Sequence, residues 1–581
     1  MCGIAGELNL NKSLEYNRHI NRHLSHRGPH NQNYLKINKN LYFYHTRLKI
    51  IDFSSSSNQP MVSNNKRFTI TYNGELYNFN EIKKELETKG YAFNSTGDTE
   101  VFLNGFAEYG VEFFKKVNGI FAVSIFDKKL NHIYFARDFI GVKPLYYTLD
   151  NYSFSFSSEL KTLIKNKQLK SKLNKNVLNE FLFYKYISGK ETLVKNIYKF
   201  EPGKVYKIDL NKKFIKLDFV NYYEFKERNN KDSISDATIY VDELLKKSIK
   251  LQLQSDANLG IQLSGGIDST LITELALNQQ KIKHLFFSSF KNFRKDEFKY
   301  ADTVAKKLSI NLRKIEHNKF FFDKNFNKAI YFLDEPINHP HSLAIYQISN
   351  IAQKKVSVLL TGEGADELFF GYERYKNIFK NNIKKIDIIK NGAFLRTKTD
   401  LKLFHELKSD KFGDPHFNRI NIFDKINVSN KLKKFQVFET QTHLQSLLMR
   451  SDKMMMANSI EARVPFLDKD LYDYSLNLND QIKKNNNQKL ILKRILFNKG
   501  YPKRFIDRKK IGYIVPFNDW IKSKKNFSKE LINENLLNFF NKKSLEDISF
   551  QLNNNKNLYS NAKIYWLMKN LTKFIDIFEL N

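Results

Sequence analysis

Cys2 is the only cysteine in the 581-residue chain, and removal of Met1 would place its thiol and a free α-amine on one residue. A thiol of pKa about 8.5 and an α-amine near 7.7 to 8.0 are matched closely enough for the amine to take the thiol proton without a histidine. Cys2 is therefore expected to be a self-contained nucleophile. Gly3 and Gly6 let backbone approach the sulfur, and Ile4 and Ala5 suit a buried strand.

Other residues point to phosphate chemistry. In NLGIQLSGGIDST, Leu259, Ile261 and Leu263 alternate along a strand, Ser264, Gly265 and Gly266 make a loop, and a helix opens near Ile267. Free backbone N–H groups and the positive end of such a helix attract an anion. Asp268, in the first turn, either offsets the helix dipole or, beside a polyphosphate, holds Mg2+. The segment TGEGADELFFGY, 361 to 372, follows the short buried strand VSVLL, 356 to 360. Ligands of doubly wound sheets sit at the carboxyl edges of strands, which puts Glu363, Asp366 and Glu367 beside the phosphates. In QKLILKR, 488 to 494, the spacing predicts a helix with Lys489 and Lys493 on one face. Like charges so placed cost roughly 0.2 to 0.5 kcal/mol unless an anion lies between them, and a solvated face is the alternative.

These residues need elements to carry them. From Tyr42 to about Tyr147, β-like runs such as RFTITYNGELYNF, IFAVSIFD and HIYFARDF alternate with turns, with one helix near Asn80 to Lys89, which reads as a mixed α+β layer. FEPGKVYKIDL and KFIKLDFVNYYEF, 200 to 225, read as hairpin strands, and ERNNKDSISD as a linker, with the boundary near 228 to 235. Beyond it strands alternate with helices: one before Leu253, then NLGIQL, LITELALNQQ, HLFFSSF and a helix near Tyr300. That alternation predicts a parallel, doubly wound sheet. Ser54 to Ser57 and Asn485 to Asn487 read as polar loops, no repeat of fixed period stands out, and Lys376 to Lys434 is Lys- and Asn-rich and helical in places.

Hydrophobic residues are 41% of the chain and aromatics 14%, enough for large cores in two to four domains rather than a disordered chain. No apolar run approaches the ~18 residues that span a bilayer, and no basic segment followed by an apolar stretch opens the chain, so a cytoplasmic protein without membrane contact is expected. A single cysteine excludes an intrachain disulfide framework. Lys and Arg number 96 against 61 Asp and Glu, a net charge of +35. The excess is Lys scattered among Asn, Ile and Phe with no aromatic-and-basic motif, so no nucleic-acid partner is expected, whereas anionic small molecules benefit from the field.

The segment SGGIDST resembles the PP-loop of enzymes that cleave ATP between its α- and β-phosphates, and the chain lacks a Walker A pattern. In order along the chain, MCGIAG, HRGP, RLKIID, NQPM, YNGELYN, GDTE, GIFAVSIFD, ARDFIGVKPLYY, FSSELK, SGGIDST, GEGADE, SDKMMMANSIEARVPFLD and DRKKIGYIVPF resemble glutamine-hydrolysing asparagine synthetases of the B type, from residue 1 to about 525. The resemblance implies an α+β N-terminal-nucleophile glutaminase sandwich with its linker, residues 1 to 230. A PP-loop synthetase domain, α/β with a parallel sheet and adenine nucleotide α-hydrolase-like, would follow over 231 to 581.

By the same resemblance Cys2 attacks the glutamine amide, forming a glutamyl thioester and freeing ammonia. Arg47 grips the glutamine carboxylate, Leu48, Lys49, Ile50 and Ile51 continue that segment, Asp98 binds the α-ammonium, Asn73 and Gly74 form the oxyanion hole, and Glu75 completes a substrate-binding turn. ATP falls to Leu263, Ser264, Gly265, Gly266, Asp268, Ser269, Ser288, Thr361 and Gly362, with Mg2+ on Asp268 and Asp366. An acceptor carboxylate would attack the α-phosphate to give an acyl-adenylate and pyrophosphate, with Lys489 stabilising charge at the reacting phosphate. Glu363 would deprotonate the arriving ammonia or support the intermediate. Ammonia must cross without meeting water, so an apolar tunnel is expected. The implied partners are glutamine, ATP and aspartate, and the resemblance is compatible with a homodimer.

Departures from the family pattern avoid Cys2, Arg47, Asn73, Asp98, the PP-loop and Glu363. His30 stands where an acid is usual, Phe370 and Gly371 replace paired glycines before Tyr372, His339 and His341 in EPINHPHSLAIY stand where Asp and Ser are expected, and Lys493 replaces an Arg. They leave open another carboxylate acceptor, such as a uronic acid of a surface-polysaccharide pathway. A third reading, an RNA-modifying PP-loop protein, conflicts with Cys2, which such a protein does not need.

Overall fold

The computed structural model describes residues 2–165, 171–290, 297–380, 382–407, 413–484, 488–508, 515–522, 524 and 526–580. Met1, the expected loop Asn485 to Asn487 and residues 509–514 of DRKKIGYIVPF lie outside them.

Alternating apolar and small side chains build two antiparallel sheets in the first part of the chain. Their strands are β1 (Cys2–Asn9), β2 (Asn31–Asn38), β3 (Leu41–Arg47), β4 (Met61–Val62), β5 (Phe68–Leu76), β6 (Gly119–Asp127), β7 (His132–Arg137), β8 (Tyr146–Leu149), β9 (Ser153–Ser157), β10 (Tyr198–Lys199), β11 (Lys204–Asp209) and β12 (Asp218–Asn221). One sheet runs β10-β8-β9-β1-β3-β2 and the other β12-β11-β7-β6-β5-β4. Ile4, Phe43 and Phe156 of the first meet Ala122, Phe126 and Phe135 of the second in a shared core. β5 and β6 are buried along their whole length, because the helices Phe79–Thr88 and Asp98–Tyr109 cover the outer face with Ile82, Leu86, Phe102 and Phe106.

Asn73, Gly74 and Glu75 lie inside β5, opposite Ala122, Phe121 and Ile120 of β6. The turn expected there does not form. Strand pairing along all nine residues overrides the local turn preference of Asn-Gly. A Cβ at Gly74 would stand 2.2 Å from the Ile120 carbonyl oxygen, so only glycine lets the two strands close here.

The second sheet system is parallel: β13 (Leu259–Gln262), β14 (His284–Phe290), β15 (Leu312–His317), β16 (Val358–Leu360) and β17 (Glu461–Arg463), in the order β15-β14-β13-β16-β17. Each neighbouring pair is parallel, as the strand-helix alternation predicts. β17 has only three residues and was not foreseen. Helices Ile234–Gln252 and Ile267–Leu277 pack on the sheet through Val241, Leu245, Leu271 and Leu275.

The two parts share cores. Leu48, Ile50, Ile140 and Val142 belong to one cluster with Leu263, Leu444 and Leu448. Leu178 and Phe181 of helix Lys175–Tyr184 pack with Ile564 and Leu567 of helix Leu558–Phe578. Short helices fill the region 376 to 434, where buried Arg419 lies 4.2 Å from the Tyr184 ring centre and donates to the Ile389 carbonyl at 3.1 Å. Among the described residues no helix is long and apolar enough to cross a membrane.

Candidate functional site

Cys2 opens β1 opposite Arg47 of β3 and is 7% exposed. Its N–H donates to Asn73 Oδ1 at 2.9 Å, and its carbonyl accepts from Arg27 Nε at 3.0 Å. Burial pushes the thiol pKa up, while the Leu48 N–H and the Arg47 guanidinium pull it down. Asn73 Nδ2, buried like the rest of its side chain, meets no partner among the described residues. An orphaned donor next to a nucleophile is costly in a resting protein and useful when an oxyanion forms there.

Arg47 is held by Nη1 donating to the Ser54 carbonyl at 2.6 Å and Asn58 Oδ1 at 2.8 Å, with Nη2 on the Asp52 carbonyl. Burial lowers its pKa, and Cys2, Asp52 and Asp98 act against that. Asp98 begins the helix Asp98–Tyr109, accepts from the Leu76 N–H at 2.9 Å and the Tyr72 hydroxyl at 3.2 Å, and is pushed up to about 6 by burial. Cys2, Arg47, Leu48, Asn73 and Asp98 thus converge. Leu48 and Ile50 turn their side chains into the core, Ile51 packs against it, and the Lys49 N–H donates to His30 Nδ1 at 2.9 Å. Glu75 shares the Asn73 face of β5, acts electrostatically on Cys2 and Asp98, and lies 3.5 Å from Arg463 Nη2; burial first and Glu461 second raise its pKa well above the ordinary range.

The second group lies at the carboxyl ends of β13 and β16. The Leu263 N–H donates to the Phe286 carbonyl at 3.0 Å, the Ser264 N–H to Ser269 Oγ at 3.1 Å, and Gly265 takes φ +77°, so the loop bends back over the helix Ile267–Leu277. The Thr361 N–H donates to the Arg463 carbonyl at 2.9 Å, and a Cβ on Gly362 would lie 3.0 Å from Asp268 Cβ, which brings the two loops together. On the neighbouring β14, Ser288 Oγ is bonded to His317 Nε2.

Lys489 corrects an expectation. It takes φ +57° just before the helix Leu490–Asn498 rather than lying within it. Its Nζ reaches Asp268 Oδ2 and Asp366 Oδ1, both at 2.6 Å, whereas Lys493 pairs with Asp507 at 3.3 Å. Among the described residues the two lysines thus pair with different carboxylates. A Cβ on Gly371 would fall 2.1 Å from Lys489 Cε, so this glycine opens the path to the acids. Phe370, where the family pattern has glycine, keeps the bend at φ +53°, a conformation that costs a non-glycine residue about 1 to 3 kcal/mol; its ring is buried against Tyr375 and Phe379. Tyr372 still donates to Glu367 Oε1 at 2.9 Å, and burial, with Asp366 and Glu363 adding to it, pushes Glu367 up to about 8.

Asp268 and Asp366 meet on one ammonium, close enough for both to face a single cation. Among the described residues no three His, Cys, Asp or Glu side chains gather to hold a metal. A pair of carboxylates nevertheless fits Mg2+, which takes one or two of them together with phosphate oxygens and water.

Four residues that touch these groups escaped the sequence reading: Arg27, Arg450, Asp452 and Arg508. Arg27, fully buried, spans the Cys2 carbonyl, Glu159 Oε1 at 3.1 Å and Asp452 Oδ2 at 2.9 Å. Asp452 lies on helix His443–Met456, which also carries Arg450, donating to Glu363 Oε1 at 3.1 Å. Arg508 Nη2 donates to the Gly265 carbonyl at 2.8 Å. HRGP and SDKMMM flagged the segments holding Arg27 and Asp452, but no local pattern reveals a contact across 425 positions.

Residues 1–221 match a family described as a glutamine amidotransferase domain, and residues 240–573 one described as asparagine synthase. The chain is similar to asparagine synthetase (glutamine-hydrolyzing) 1 of Bacillus subtilis, 30% identical over 568 residues, covering 90% of this chain and 89% of that one. It is also similar to asparagine synthetase (glutamine-hydrolyzing) 3 of the same organism, 27% identical over 545 residues, with coverages of 88% and 87%.

Proposed function

Because the chain belongs to the glutamine-hydrolysing asparagine synthetase family, we propose that it moves the amide nitrogen of glutamine to a carboxylic acid activated by ATP. The Cys2 sulfur attacks the amide carbon, with the thiol proton passing to the α-amine that removal of Met1 would free. Asn73 Nδ2 and the Gly74 N–H receive the oxyanion, Arg47 the glutamine carboxylate and Asp98 its ammonium. Ammonia leaves, and water then releases glutamate from the thioester.

At the other site the acceptor carboxylate attacks the α-phosphorus of ATP, giving an acyl-adenylate and pyrophosphate. Mg2+ bound with ATP at Asp268 and Asp366 would neutralise phosphate charge. Lys489 supplies a further cation, and Glu363 takes a proton from ammonia as nitrogen displaces AMP from the acyl carbon. The observation that carries this reading is that one buried helix, His443–Met456, touches both sites, through Asp452 to Arg27 at Cys2 and through Arg450 to Glu363. The core shared by Leu48, Ile140, Val142 and Leu448 supports a passage that keeps ammonia unprotonated.

Aspartate is the first acceptor to test, by analogy with the relatives. Another carboxylic acid, such as a sugar uronic acid, is favoured by the basic side chains Lys185 and Arg450 near Glu363. With glutamine, ATP and an accepted carboxylate, the protein is expected to form glutamate, AMP and pyrophosphate in equal amounts, read by chromatography of the products. ADP in place of AMP would contradict the adenylate.

A pH dependence follows from Asp98. Its folded pKa of about 6 exceeds the ordinary 3.8, so the native state binds more protons between those values and this group lowers stability as pH rises through them. The ammonium of glutamine offsets that cost by pairing with the carboxylate. KM for glutamine is therefore expected to climb as pH falls below 6, approaching about tenfold per unit, because protonation removes the carboxylate. A flat KM between pH 5 and 7 would count against the assignment.

A further inference from the structure

The segment that follows Arg47 ends in a bend that no assigned role explains. Asp52 is 6% exposed and takes φ +56°, a left-handed backbone that glycine adopts freely and Asp occasionally, when its carboxylate bonds locally. Such bonds are present. Asp52 Oδ1 accepts from the Ser54 N–H at 2.8 Å, and Oδ2 accepts from Ser57 Oγ at 2.7 Å and from the Thr96 N–H at 2.9 Å. The Asp52 carbonyl accepts from Arg47 Nη2, and the Ser54 carbonyl takes Nη1 at 2.6 Å.

These contacts reach the stretches that carry both Arg47 and Asp98. Two carbonyls presented by the bend aim the guanidinium of Arg47. Thr96 stands two residues before Asp98, so the Asp52 carboxylate also ties down the chain that leads into helix Asp98–Tyr109. Gly97 lets the two segments close, since a Cβ there would fall 2.5 Å from Ser57 Oγ.

The bend is held in turn from the synthetase part of the chain. The Asp52 N–H donates to Asp256 Oδ2 at 2.8 Å, and the Asp256 and Ala257 N–H groups donate to the Ile50 carbonyl at 2.9 and 3.2 Å. Asp256 lies in the loop between helix Ile234–Gln252 and β13, the strand that leads into the phosphate-binding loop.

Resting on the glutaminase reading above, we infer that Asp52 and Asp256 are positioning residues for glutamine. Asp52 fixes the spacing between Arg47 and Asp98, which grip the carboxylate and the ammonium of one amino acid, and Asp256 fixes Asp52 from the other half of the chain. A ligand held by both groups on its α-carbon tolerates little error in that spacing, because hydrogen bonds weaken steeply with misalignment. The attack by Cys2 needs neither acid. Loss of either therefore weakens glutamine binding and spares turnover of what is bound.

The test is steady-state glutamate release from glutamine by the full chain, with ammonium-dependent pyrophosphate release measured on the same preparations. Asp52→Gly keeps the left-handed backbone and deletes the carboxylate, so KM for glutamine is expected to rise about a hundredfold with kcat changed by less than about threefold. Asp52→Asn retains an acceptor for the Ser54 N–H and an amide that donates to Ser57 Oγ, and should recover about tenfold of that loss. Asp256→Ala should raise KM about fivefold, and Asp256→Asn, whose Oδ1 still accepts from the Asp52 N–H, should restore it. The ammonium reaction is expected to hold its unaltered rate throughout. Asp256 is an exposed loop residue, so its variants fold and decide the matter where Asp52→Gly loses both activities together. An unmoved KM in Asp256→Ala, a lowered kcat with KM unmoved in either deletion, or Asp52→Asn no better than Asp52→Gly overturns the inference and leaves the glutaminase reading intact. No glutamate from the unaltered protein overturns that reading itself, and the inference with it.

Discussion

Cys2→Ala is expected to abolish glutamine-dependent amidation, by about 10³-fold or more, while ammonium salts still support pyrophosphate release. The alanine methyl fits a side chain that is 7% exposed at the start of a paired strand, and Cys2 holds its neighbours through its backbone, the N–H on Asn73 and the carbonyl on Arg27. Strand, oxyanion donor and interface therefore survive the substitution, and only the sulfur is lost. Glutamate release and pyrophosphate release measured on the same preparation separate the two activities. Loss of both would mean that the sites are not divided as assigned.

The mirror result is expected from Lys489→Ala. Removing the ammonium leaves Asp268 and Asp366, each 2.6 Å from it, facing one another without their shared cation, and withdraws positive charge from the reacting phosphate. Loss of one such preorganised group costs about 10² to 10³ in rate. Acyl-adenylate formation, followed by pyrophosphate release in the presence of acceptor, should fall by that factor, while glutamate release from glutamine continues at Cys2. Unchanged pyrophosphate release would remove Lys489 from the reaction. Gly371→Ala should weaken the same step, because its methyl would lie 2.1 Å from Lys489 Cε.

Much of this arrangement is written in short stretches of chain. HLFFSSF reads as a strand and is one over all seven residues, since its aromatic content agrees with its buried place inside the sheet, between β15 and β13. SGGIDST announces the loop and the helix behind it, because a phosphate-binding bend needs glycine at fixed positions. RFTITYNGELYNF likewise reads as a strand and pairs from Phe68 to Leu76 with β6, so the turn that the resemblance implied at Asn73 to Glu75 does not form. One local reading fails for a physical reason. Lys489 looks like a helical residue, and its left-handed backbone is set by long-range contacts, among them its N–H on the Phe369 carbonyl at 3.2 Å. What stays hidden altogether is the meeting of distant charges. Neither HRGP nor SDKMMM states that Arg27 and Asp452 touch, because nothing within either segment depends on the other until both fold.

That meeting bears on how such an enzyme can be taken apart. Arg27 is sealed among Glu159, Asp452 and the Cys2 carbonyl, and stripping one partner from a buried ion cluster costs about 3 to 5 kcal/mol. An amino-terminal fragment ending near residue 230 would lose Asp452 and lay Leu48, Ile50, Ile140 and Val142 bare to water. The halves are thus poor candidates for modular reuse: a fragment engineered for stand-alone glutamine hydrolysis would require a redesigned, water-compatible face before it stayed in solution.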